Sequence, residues 1–460
     1  MADPTLTPSS AAPHRLAMQL GYSAGNLGKS VIWTSFESVM LFYLVTIAGF
    51  APLSAGILLA IALFWDAAFD LAVARWTDAR GGANGLARLV LIGAPLCGFS
   101  FWLIFLARTP AAVAAAIMAC RIGYSLCDVG HNTLLIRVAR IPADAGRVSG
   151  LRLLFSAAGV ALLSVGAGSS LSRGDALAQH ASFTGAGMIG GALYIATLFL
   201  SVWATRKLPG PQAAVEKERA LRPLRIYVRD PQFRRLLLVI AAQAALVPLF
   251  QRALPFYGAA VYGDPAWAGS ALLMVTIAQS FALTAWIMAS RRHSAQSIAM
   301  VAHGIALLSL TGLTMAKGLS VAIVLMAVLG VALGGMNLAI WALLTAIVQS
   351  AVATGSQQEA TPVGLFVACL KAAAAVGNFL LAAIIAAGSH RLPGAVDKSA
   401  AFLPVFATLV PAAGCIIVLS LLATAGPGRS KKVRYFRFRQ KNAARHSDVL
   451  CVLDKEMGGV

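Results

Sequence analysis

The chain has 460 residues, of which 59% are hydrophobic and only 12% charged, with a formal net charge of +20 and a mean hydropathy of +0.78. Soluble domains hold about 45–50% apolar and about 25% charged residues, so this composition excludes an ordinary soluble enzyme and points to a polytopic membrane protein. The positive charge gathers in a central loop and the C-terminal tail rather than on an aromatic-basic platform. No nucleic-acid partner is therefore expected; the charge reads as a topology signal and as contact with an anionic inner leaflet.

The opening MADPTLTPSSAAPHR is polar and has no basic stretch leading into an apolar core, so no cleavable signal peptide is expected. Beyond it, apolar stretches of about 20 residues, enough to span a bilayer as helix, recur to the tail. Twelve spans are expected, at 20–46, 53–77, 86–107, 110–139, 147–172 and 182–206, then 232–260, 264–290, 295–316, 319–349, 361–388 and 400–424. No alternating strand pattern competes with them, which argues against a membrane β-barrel. The connections after spans two, four, six and eight hold Arg75, Arg80, Arg88, Arg137, Arg140, Arg147, a group from Arg206 to Arg235, and Arg291 with Arg292. The opposite connections hold only Arg108, Arg173, Lys317, Arg391 and Lys398. The positive-inside rule then places both termini in the cytoplasm, and a multi-pass protein of a cytoplasmic (inner) membrane is expected.

The polar loop KLPGPQAAVEKERALRPLRIYVRDP divides the chain into an N-terminal six-helix bundle (1–206), a cytoplasmic linker (207–231), a C-terminal six-helix bundle (232–426) and a basic tail (427–460). Six plus six around such a linker is the layout of the major facilitator superfamily, whose halves rock about a midplane site. The fold class expected is all-α, twelve transmembrane helices in two bundles, working as a monomer. The cysteines, Cys97, Cys120, Cys127, Cys369, Cys415 and Cys451, show no CxxC pair and mostly lie within spans, where they read as small hydrophobes.

Charges inside spans are costly and mark ion or substrate pathways. Here they are Lys29, Glu37, Asp66, Asp70, Arg121, Asp128, Arg152, Arg252 and Lys371, most of them in the first half. Asp66 and Asp70 lie one helical turn apart and share a face. Two such carboxylates cannot both stay ionised and unpaired in a low dielectric, so a proton, a bridging cation such as Na⁺, or a basic side chain must intervene. Asp128 is the natural third carboxyl. Arg152 and Lys371 are bases that could neutralise the cluster and be displaced by an entering cation, a charge switch. The competing reading has these acids in a water-filled vestibule or in structural pairs, as Asp78 beside Arg80 suggests. Glu37, Arg121 and Arg252 stay open between cavity residue and structural pair. Trp33, Trp65, Tyr124, Tyr257 and Trp341 read by themselves as packing or interface aromatics.

At these residues the sequence resembles a known family. FWDAAFD (64–70) is similar to the second-span WDxxxD signature of the glycoside–pentoside–hexuronide:cation symporters. GYSAGNLGKS (21–30), LIGAP (91–95), YSLCDVGHNTLL (124–135), GLRLLFSAAG (150–159) and LFVACLKAAAA (365–375) resemble its first, third, fourth, fifth and eleventh spans. The resemblance covers all twelve spans and is most specific in the first half. It implies a coupling-cation site at Asp66, Asp70 and Asp128 with Ser125 adding an oxygen, and Lys371 reaching it from the opposite half. It implies substrate contacts at Lys29, Ser30, Tyr124, Asn132, Arg152 and Trp341; Glu37, seven residues past Ser30 and so roughly on the same face of span one but farther along its axis, is expected as a further contact. Ser30 stands where an acid follows the family's Gly-Lys, and Phe69 where an amide favours sodium, which tilts the coupling ion toward a proton.

The function expected is a cation-coupled (H⁺ or Na⁺) symporter of a small sugar- or glycoside-like solute, with no cofactor. Alternatives are a carrier of lysolipid-like amphipathic solutes and, less in keeping with three intramembrane aspartates, a non-transporting sensor. No nucleophile–base set, metal-ligand cluster or phosphate loop suggests an enzyme.

Overall fold

The computed structural model describes residues 11–80, 86–138, 142–206, 224–316, 318–353, 360–389 and 398–424. Most of the expected linker and all of the expected basic tail, with Cys451, lie outside the described residues. The described chain is helical throughout. Its spans are α1 (Ala11–Ser38), α2 (Pro52–Arg80), α3 (Leu86–Leu106), α4 (Pro110–Val138), α5 (Pro142–Leu171) and α6 (Ala176–Thr205). There follow α7, in two segments (Pro231–Leu246 and Leu249–Tyr262), α8 (Trp267–Ser290), α9 (Ala295–Met315), α10 (Leu319–Ala353), α11 (Ala360–Ser389) and α12 (Lys398–Ala423). Eleven of these are long and apolar enough to cross a membrane, and α1 is the twelfth once its continuation through Met40–Ile47, bent by 53°, is counted with it. A π-helical turn at Tyr43–Ile47 makes up most of that continuation, and Gly49, two residues past its end, has a φ of 73° in the left-handed region that favours glycine.

Helix starts follow local chemistry as well as hydropathy. The Asp175 carboxylate accepts the Ala178 N–H at 2.7 Å, so α6 begins at Ala176 rather than at the expected 182. The Asp230 carboxylate takes the N–H groups of Gln232 and Phe233, both at 2.8 Å, ahead of Pro231 at the first helical position. Polar first turns of this kind extend a helix past the apolar stretch that hydropathy detects. Many large apolar side chains point outward: Phe281 is 80% and Leu308 72% exposed. On two adjacent spans, such exposure fits hydrocarbon rather than water as the surrounding solvent.

Packing within each half uses small residues, as expected where lipid gives helices no hydrophobic reason to associate. In the first half α1 lies against α5 and α6, and α3 against α4 and α6. A Cβ at Gly191 of α6 would land on the Gly98 carbonyl of α3. In the second half α10 is flanked by α8 and α9, and α7 by α11. The two sets of six meet along α2 with α11 and along α5 with α8. At the α5–α8 crossing, a Cβ on Gly269 would come within 2.6 Å of the Ser164 carbonyl oxygen and 2.7 Å of the Gly168 Cα.

The α1 and α7 ends on the side that the charge bias assigns to the outside are also joined. Arg252 donates from Nε and Nη2 to Glu37 Oε2 at 2.9 and 2.6 Å, and the Phe42 and Phe256 rings meet edge-on at 4.9 Å.

Candidate functional site

The α2 helix carries Asp66 and Asp70 on one face, 0% and 8% exposed. They face α4, where Arg121, Ser125 and Asp128 recur at intervals of four and three residues and so share a stripe. The Arg121 guanidinium ion-pairs with Asp66 Oδ2, and the Ser125 hydroxyl donates to Asp66 Oδ1 at 2.9 Å. Both oxygens of Asp66 are therefore engaged from α4. Asp70 is held from the other half of the chain: Lys371 Nζ of α11 lies 2.5 Å from Asp70 Oδ2 and 3.8 Å from Asp66 Oδ2. Asp128 ion-pairs with Lys29 of α1.

Three acids on α2 and α4 thus face three bases contributed by α1, α4 and α11. Burying an ion costs several kcal/mol unless a partner offsets it, and here each carboxylate has one. The apolar part of the site is aromatic. The Arg121 guanidinium carbon sits 5.3, 4.9 and 5.0 Å from the ring centroids of Trp33, Phe36 and Tyr124, and Lys371 Nζ lies 5.9 Å from that of Trp33. These are cation–π distances. Among the described residues, no three His, Cys, Asp or Glu side chains are gathered closely enough to hold a metal ion.

Of the residues expected at the site, Asp66, Asp70, Asp128, Ser125, Lys371, Lys29 and Tyr124 come together. Ser30 is half-buried against Gly159 of α5, where an added Cβ would stand 3.1 Å from the Ser30 Cβ. Arg152 lies over the Tyr22 ring at 6.0 Å. That ring stacks on His131 at 4.6 Å, and the Tyr22 hydroxyl donates to the His131 carbonyl at 3.2 Å. Glu37, which the sequence left open between solute contact and structural pair, pairs with Arg252 across the two halves. Trp341 meets the Phe366 ring edge-on at 5.2 Å. The Asn132 side chain lies outside the described residues.

Arg121 is the member of the cluster whose role the sequence leaves open. Its signal is positional: it precedes Ser125 by one turn and Asp128 by two, so it had to share their stripe. The four described buried cysteines pack as apolar side chains, with the Cys97 and Cys120 sulfurs 3.7 Å apart; Cys369 is half-buried.

A family model described as "MFS/sugar transport protein" matches residues 21–425. No curated protein sequence matches the chain. Solved structures with the same fold include the nucleoside transporter NupG, at 15% identity and a TM-score of 0.62, covering 88% of this chain and 98% of that one. A bacterial homologue of the human lysosomal transporter Spinster, in an inward-facing and unoccupied conformation, matches at 14% identity and a TM-score of 0.63, covering 91% and 96%. At such identities the likeness is one of fold.

Proposed function

We propose, from the premise that the chain belongs to the MFS/sugar transport protein family and is a membrane secondary transporter rather than an enzyme, that it couples entry of a small sugar- or glycoside-like solute to H⁺ or Na⁺. It would act as a monomer in a cytoplasmic membrane. The observation that carries this reading is the Lys371–Asp70 pair, 2.5 Å long, because it joins α11 to α2 across the seam between the two sets of six helices. A cation or proton arriving at Asp70 removes the charge that holds Lys371. The tie across the seam loosens, and the halves become free to rock around the solute.

In this reading Asp66, Asp70 and Asp128 with Ser125 form the coupling site, and Lys371 is the base displaced. Tyr124, Lys29, Ser30, Asn132, Arg152 and Trp341 are assigned to the solute cavity. Arg152 is also the second charge-switch base, from its position over Tyr22. Glu37, bound to Arg252, belongs to the outer closure rather than to solute.

The test is uptake into proteoliposomes from a panel of sugars, glycosides and hexuronates, with internal pH and Na⁺ followed together. Asp70→Asn is expected to lose concentrative uptake while retaining exchange of solute across the membrane. Concentrative uptake by that variant at the wild-type level refutes the coupling role.

A second reading, transport of an amphipathic solute, draws support from a cavity of about 480 Å³ between α1, α3, α5 and α6. Its wall is mainly apolar, with Phe101, Phe105 and Phe183, and includes Ser35, Ser170 and Ser182. Uptake of a lysophospholipid with no response to any sugar would select that reading.

A further inference from the structure

We infer that Arg121 is a built-in cation that occupies the Asp66 corner of the coupling site, excludes sodium, and leaves the proton as the ion that Asp70 receives. The inference rests on the coupled-transport reading and names its ion. A hard alkali cation needs several oxygen ligands at once. Four carboxylate oxygens here are engaged, Asp66 Oδ2 by Arg121, Asp66 Oδ1 by Ser125, Asp70 Oδ2 by Lys371 and Asp128 Oδ1 by Lys29, while Asp70 Oδ1 is buried without a hydrogen-bond partner and by itself supplies one ligand rather than a shell.

Of the three bases, Arg121 is the one that cannot step aside. Its side chain is 1% exposed and is held by the faces of Trp33, Phe36 and Tyr124. A guanidinium, unlike an ammonium, does not give up its proton inside a protein. Expelling it would bury an uncompensated charge in an aromatic cage. Asp66 is in this sense permanently saturated.

Asp70 differs. Its base comes from the opposite half, and its partner Lys371 also lies within 3.8 Å of Asp66. A proton needs no ligand shell. It adds to one Asp70 oxygen, converting carboxylate to carboxylic acid, and Lys371 loses the charge that holds it across the seam. One positive charge has entered and none has left. Asp70 thus takes a single proton, while Arg121 holds the place a metal ion would take.

The experiment compares the purified full-length chain and three variants, Arg121→Ser, Arg121→Lys and Arg121→Ser with Asp66→Asn, by thermal unfolding in NaCl and in choline chloride of equal ionic strength. The wild type and Arg121→Lys are expected to unfold at the same temperature in both salts. Arg121→Ser, with two hydroxyls and two carboxylates now facing a vacated corner, is expected to unfold several degrees higher in NaCl. Adding Asp66→Asn is expected to abolish that difference. A sodium-specific stabilisation of the wild type overturns the inference, as does a folded Arg121→Ser protein that is indifferent to sodium. If the serine variant does not fold in either salt, the wild-type comparison decides alone. The readout involves no solute and no uptake. A failure to find concentrative transport would therefore refute the coupled-transport reading while leaving the sodium result to judge Arg121.

Discussion

Replacing Lys371 by Met tests the charge pairing most directly. Its ammonium is almost wholly buried, ion-paired with Asp70 at 2.5 Å and 3.8 Å from Asp66. The methionine keeps the volume and removes the charge. Asp66 retains Arg121 and Ser125, so the loss falls on Asp70, which keeps a buried carboxylate without a base. Breaking one side of a buried pair costs about 3–5 kcal/mol, whereas replacing both sides by groups of similar volume is often neutral. Lys371→Met is thus expected to destabilise the protein strongly. The double variant Asp70→Asn/Lys371→Met is expected to recover most of the loss, a coupling energy at or above the upper end of the roughly 0.5–3 kcal/mol seen for residues in contact. Thermal or denaturant unfolding of all four proteins in one detergent measures this as a double-mutant cycle. Solute exchange should survive in the double variant while coupled accumulation does not. If the two single changes add within about 0.5 kcal/mol, as distant sites do, the pair is not an energetic unit and the account of Asp70 and Lys371 fails.

Arg252→Ala is expected to open the outer closure, because it removes both hydrogen bonds to Glu37. A cysteine introduced at Phe256, against Phe42, should then react several-fold faster with an impermeant maleimide added from outside; an unchanged rate counts against a closing role. Gly269→Val introduces a side chain 2.6 Å from the Ser164 carbonyl oxygen, and overpacking of this kind costs about 1–3 kcal/mol. A lowered melting temperature together with slowed exchange is expected, and wild-type behaviour would show that α5 and α8 do not cross as tightly as described. Ser125→Ala removes the hydroxyl donated to Asp66 but leaves Arg121, so a loss of about 1 kcal/mol is expected; a loss as large as that of Lys371→Met would mean that Ser125, not Arg121, is the main support of Asp66.

The membrane-spanning helices and the helical faces were legible from the amino-acid order, because both depend on residues near one another in the chain. A run of apolar side chains marks a span wherever it occurs, and one-turn spacing puts Asp66 with Asp70 and Arg121 with Ser125 on common faces. Charge bias along the loops is local in the same sense. The bend of α1 at Ser38 and its π-helical continuation were not legible, since the apolar run continues through them without a proline.

Which base answers which acid was decided only by the tertiary structure. Arg121 and Asp66 are 55 residues apart, and Arg252 and Glu37 are 215 apart. Their meeting depends on which helices abut, and in a membrane that is settled by close approach at small residues such as Gly98 with Gly191 and Gly168 with Gly269. The aspartates alone pose a charge that must be balanced, and they leave a proton, a metal ion and a base equally able to balance it. Helix packing supplies the missing term by bringing a guanidinium to Asp66 and the ammonium of the opposite half to Asp70.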